Sequence, residues 1–159
     1  MGLDMYLYAE QYVSGYAFRP DEEKEKYAKV INALDASSMV THDSPSATIS
    51  LTVGYWRKAN YIHNWFVNNV QGGVDNCDRY WVDKDKLKEL STLLLDLLKH
   101  RGDEEYANTH LPTAEGFFFG GTEYDQYYWE TIDETYKMIV TLLNKVGENN
   151  WELYYQSSW

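Results

Sequence analysis

The spacing of apolar residues changes period along this chain, and that pattern decides which elements can form and where. Near the start, residues 3–13 alternate, with Leu3, Met5, Leu7 and Ala9 on one face and Tyr6, Tyr8, Glu10 and Tyr12 on the other. This is the mark of a strand with one dry face. The end alternates again, with Trp151, Leu153 and Tyr155 set against Glu152, Tyr154 and Gln156. Between the two ends, two long segments have helical spacing. Leu87, Leu90, Leu94, Leu97 and Leu98 form a stripe over residues 83–100, and Tyr128, Ile132, Thr135, Ile139, Leu142, Leu143 and Val146 form a second in a segment running from 120 to 146. One-sided strands at both ends with long helices between them predict an α+β domain, a small, mainly antiparallel sheet packed against several helices.

The remaining segments fill this frame. Residues 21–35 open with acids and place Tyr27, Val30, Ile31 and Leu34 at helical spacing, so a first helix is expected there. Residues 36–47 read as a polar linker, and the β-branched run from 48 as a second strand that ends near Gly54. The stretch from 57 to 70 predicts a helix closed by Gly72 and Gly73, and 79–82 a short strand. Residues 101–116 read as loop, punctuated by Pro112 and Gly116, with Phe117 to Phe119 as a brief buried piece. No internal repeat or dividing linker appears, so residues 1–159 are expected to form one domain.

Composition narrows the choice of partners. A net charge of -11, from 25 acidic and 14 basic residues, argues against direct binding to a nucleic-acid backbone, which needs clustered cations to release counterions. The same field disfavours an anionic membrane and favours a basic protein partner. Tyr and Trp, 15 and 6 in number, join an apolar body to a polar tip and suit a contact surface or a shallow pocket as well as a core. The lone Cys77 excludes an internal disulfide and fits a reducing compartment. No signal peptide or membrane anchor is read at the start, where Asp4 interrupts the apolar run. No spacing suggests a metal site, and no cofactor is expected.

Two segments concentrate chemistry. In the 57–70 segment, His63 shares a face with Ala59, Ile62, Phe66 and Val70, while Asn60, Asn64 and Asn68 form a polar stripe that suggests hydrogen bonding to backbone, partner or ligand. Arg57 and Lys58 near a helix start oppose its dipole, which points to an acidic neighbour or an anionic ligand. Cys77 or Glu123 paired with His63 is the only nucleophile and base combination offered, and it would make the chain a small hydrolase or transferase. His42, Asp43 and Ser44 adjoin in a loop and do not read as a triad. In the second segment, Gly120 and Gly121 before Thr122 resemble a phosphate cradle at a helix start, but Glu123 and Asp125 already make that turn negative, so Thr122 is expected to cap. Phe117, Phe118, Phe119, Tyr124, Tyr127, Tyr128 and Trp129 are placed to wall a pocket for a planar group opposite Arg57. The expected ligand set is Trp56, Arg57, Asn60, His63, Phe118, Thr122 and Tyr124, holding a nucleotide-like molecule.

The opening MGLDMYLY, the block YWRKAN-IH-WFV followed by GVDNC, and LPT-GFFFG-TEYD together resemble an uncharacterised family of small proteins encoded by bacteriophages and prophages. The similarity spans most of the chain outside residues 36–47. It implies an accessory protein in the cytoplasm of an infected bacterium, acting by binding to inhibit a host defence such as restriction, CRISPR or nucleotide signalling. A structural or interaction protein of the phage is the alternative of a different class, and a homo-oligomer is compatible with either.

Overall fold

A computed structural model describes residues 2–40, 45–116, 119–147 and 150–159. The chain divides into two units, Met1–Ala9 with Thr52–Trp159, and Glu10–Leu51. The architecture is α+β, with helices and a mainly antiparallel four-stranded sheet. Strands β1 (Asp4–Ser14) and β2 (Ser46–Arg57) contribute residues to both units, and β3 (Tyr80–Val82) and β4 (Glu152–Ser158) belong to the larger one. The sheet order is β2-β1-β4-β3. β3 runs antiparallel to β4 with Trp81 opposite Tyr154.

Alternation becomes burial in the larger unit. Leu3, Met5, Leu7 and Ala9 are buried, as are Leu153, Tyr155 and Ser157 on β4, because every second side chain of a strand meets the same side of the sheet. Onto that side pack α2 (Asn60–Asn69), α3 (Lys84–Lys99) and α5 (Gln126–Val146). The leucine stripe Leu87, Leu90, Leu94 and Leu97 is wholly enclosed, and so are Ile132 and Ile139. α3 lies along α5. Phe66 stacks on Tyr155 with centroids 4.0 Å apart, and Trp56 Nε1 donates to Thr135 Oγ1 at 2.8 Å, which satisfies a buried indole.

Three boundaries depart from the sequence reading. The 57–70 helix begins at Asn60, because Arg57 still belongs to β2 and Lys58 turns the chain at φ +56°. The two cations therefore do not sit against a helix dipole. The 101–116 segment contains a helix, α4 (Glu104–His110), started by Asp103, whose side chain accepts from the Tyr106 N–H. Seven residues are too few for a legible stripe, but an aspartate before two acids and a terminal histidine is the expected capping order. α5 begins at Gln126, where Asp125 accepts from the Tyr128 N–H at 3.0 Å. Thr122 lies upstream of that cap, so Gly120 and Gly121 are not a helix-start phosphate cradle.

In the smaller unit, α1 (Asp21–Ala33) forms after Pro20 with Asp21, Glu22 and Glu23 in its first turn. Tyr27, Val30 and Ile31 are only half-buried and Leu34 is exposed, so the apolar stripe is not enclosed. Gly15 N donates to Pro45 O at 2.7 Å. A Cβ on Gly15 would lie 2.6 Å from the Tyr27 ring, so any other residue there would push that ring aside. Among the described residues, no helix is long and apolar enough to cross a membrane.

Candidate functional site

The β2 to α2 turn and the loop leading to α5 meet in the larger unit. Asn60 joins them. Its side chain is wholly buried, its Nδ2 donates to Phe119 O at 3.1 Å and Gly121 O at 2.8 Å, and its Oδ1 accepts from Ala114 N at 2.9 Å. One amide therefore satisfies three backbone groups of a loop more than fifty residues away, a use for which asparagine's paired donor and acceptor are suited. Gly120 sits at φ +96°, and a Cβ there would lie 2.7 Å from Lys58 O. The close approach and the left-handed backbone both require glycine. Tyr127 closes the junction from α5, donating its hydroxyl proton to Arg57 O at 2.6 Å.

Around this junction lies a cleft of about 350 Å³ lined by Arg57, Lys58, Tyr61, Gly120, Gly121, Glu123, Asp125, Tyr127 and Tyr128, within the size range of small-molecule sites. Two cations come from the end of β2 and the turn after it, and two carboxylates from the loop before α5. Among the described residues, none of the four forms an ion pair, although Asp125 also caps α5. Tyr61 and Tyr128 form the floor, with ring centroids 4.3 Å apart. The Tyr128 hydroxyl donates to Leu111 O. The Tyr61 hydroxyl is on a side chain only 3% exposed, and Thr131 lies beside it but outside sound hydrogen-bond geometry. Burial pushes both phenols far above the usual tyrosine range, so neither is a phenolate base near neutral pH. Tyr127 remains half exposed.

The expected ligand residues separate into distinct places. Arg57 lines the cleft, and Glu123 lines it too. Trp56 is buried in the core on Thr135, and Asn60 stands behind the cleft as its strut. Tyr124 is a second strut, accepting from Thr113 N and donating to Asn108 Oδ1. Thr122 is exposed, and its carbonyl accepts from Thr113 Oγ1. Phe118 and the His42, Asp43 and Ser44 run lie outside the described residues. Tyr61, which the sequence reading passed over, lines the cleft because it follows Asn60 at the first turn of α2.

His63 occupies another place. It is 1% exposed, with Nε2 3.0 Å from Asp75 Oδ1 and Nδ1 2.8 Å from the Tyr155 hydroxyl. The carboxylate can only accept, so Nε2 carries the proton and Tyr155 donates to Nδ1. Burial lowers the imidazole's proton affinity more than Asp75 raises it. Burial likewise raises Tyr155 well above its ordinary value. Both nitrogens are thus engaged, and neither is left for Cys77 or Glu123. That corrects the nucleophile and base pairing expected from the sequence: Cys77 is an exposed free thiol whose carbonyl accepts from Gln156, and Glu123 belongs to the cleft.

No protein-family profile, curated protein or solved structure matches this chain.

Proposed function

We propose that the protein acts by binding, and that the tyrosine-lined cleft holds a small nucleotide-like molecule. The observation that supports this is the set of charges of both signs, Arg57 and Lys58 with Glu123 and Asp125, that line one cleft and form no ion pair among the described residues. A ligand carrying only negative charge would meet repulsion from the carboxylates, and one carrying only positive charge would meet it from the cations. A nucleotide is bipolar. Its phosphate suits Arg57 and Lys58, the N–H edge of its base suits a carboxylate, and its ring plane suits Tyr127. Binding is favoured over a His-centred hydrolase or transferase because His63 is enclosed and its nitrogens are engaged by Tyr155 and Asp75. The resemblance to phage-encoded proteins supplies a setting, sequestration of a nucleotide signal used in host defence in the bacterial cytoplasm.

Thermal denaturation with a panel of cyclic and linear nucleotides tests this. A ligand at a hundred times its Kd adds about 2.7 kcal/mol, which at this chain length raises Tm by roughly 5–10 °C. The expected result is such a rise with at least one nucleotide and its loss in Arg57→Ala. No rise across the panel, or a rise that survives Arg57→Ala, overturns the proposal.

A further inference from the structure

The side of the sheet opposite the core carries an aromatic band within the larger unit. Its members come from adjacent strands: Tyr55 on β2, Tyr6 and Tyr8 on β1, Tyr154 on β4 and Trp81 on β3. Tyr6 lies 5.4 Å from Tyr55 and 5.9 Å from Tyr8, and Trp81 stands opposite Tyr154 in register. Tyr55 is 54% and Trp81 57% exposed, a large amount of ring surface to leave in water.

The chemistry of this band favours cations. The Tyr55 hydroxyl donates to Asp4 Oδ1 at 2.5 Å, and the Tyr154 hydroxyl donates to Glu152 Oε2 at 2.9 Å. A phenol donating into a carboxylate presents a more electron-rich ring, and each carboxylate keeps acceptor capacity for a further donor. The face already holds one guanidinium: Arg79 lies 4.4 Å from the Tyr8 centroid and 5.0 Å from that of Tyr154. Rings with negative faces, carboxylates beside them and a net charge of -11 complement arginine and lysine. They repel phosphates, which disfavours a single-stranded nucleic acid, and a second copy brings the same charge.

We propose that this face docks an arginine- and lysine-rich segment of a protein partner. The site is separate from the cleft, and its occupancy does not depend on a nucleotide. Fluorescence anisotropy with a labelled oligoarginine peptide tests it, with Trp81→Ala and Tyr55→Ala on opposite edge strands and Glu104→Gln with Glu105→Gln on α4 as a control that removes more charge. Each ring truncation is expected to weaken binding about tenfold, and the control less than about twofold. Binding should also weaken when salt rises from about 50 to about 500 mM. Thermal melts establish that each variant folds, and either ring variant suffices if the other does not. Equal weakening by the control, tighter binding of single-stranded DNA than of the peptide, or a dimer in sedimentation that Trp81→Ala dissociates would each overturn the proposal.

Discussion

Asn60→Asp is nearly isosteric, so it isolates hydrogen bonding from packing. The wild-type amide donates to Phe119 O and Gly121 O and accepts from Ala114 N. A carboxylate keeps the acceptor and loses both donations, at about 1 kcal/mol each. It also points a buried negative oxygen at two carbonyl oxygens, which adds at least a comparable penalty. The expected destabilisation at neutral pH is about 3–5 kcal/mol, or roughly 6–20 °C in Tm at 2–4 °C per kcal/mol. The sign with pH follows from linkage. This site raises the introduced carboxyl's pKa above its unfolded value, so the folded variant binds the extra proton and regains stability relative to wild type as pH falls. Urea unfolding of both proteins at neutral pH and near pH 5, followed by tryptophan fluorescence, reads the difference and cancels titrations common to both. A difference below about 0.5 kcal/mol at neutral pH, or one that grows as the solution is acidified, would refute the strut role of Asn60.

Other perturbations address neighbouring parts. His63 has a depressed folded pKa, so its contribution to stability should be complete above its unfolded value near 6.5 and lost as pH falls through the lower folded value; urea midpoints against pH should show a slope there that is flatter in His63→Gln. Gly120→Ala meets both a left-handed backbone and Lys58 O, and should cost about 1–3 kcal/mol with a weakened nucleotide response in the same melts. Thr135→Val removes the acceptor of a buried indole N–H, and a loss of about 1–3 kcal/mol in chemical unfolding is expected.

How far the sequence reaches can be seen residue by residue. The strand alternation from Leu3 to Ala9 and the stripe from Leu87 to Leu97 are legible because burial repeats with the element's period: Leu3, Met5, Leu7, Ala9, Leu87, Leu90, Leu94 and Leu97 are enclosed, and Leu98 at the end of the stripe is half-buried. The same logic found α1 but overstated its stripe, since spacing shows which residues share a face and not whether anything covers it. The turn at Lys58 was hidden because it takes φ +56° without a glycine to mark it. The spacing sets Asn60 in a polar stripe with Asn64 and Asn68, yet it is wholly buried and its partners lie 54 to 61 positions away. His63 likewise meets Tyr155 across 92 positions and Asp75 across 12, and no local pattern carries such pairings. Of the residues expected to wall a pocket opposite Arg57, Tyr127 and Tyr128 line the cleft with it, Tyr61 joins them from α2, and Trp56 is buried on Thr135.

Backbone amide chemical shifts followed during titration with the nucleotide panel test most directly whether the turn after β2 and the loop before α5 form one binding site. Shifts that move together for Lys58, Tyr61, Gly120, Gly121 and Tyr127, saturating at a common concentration, are the predicted result. Shifts confined to one of the two segments, or gathered around His63 and Asp75 instead, would contradict it.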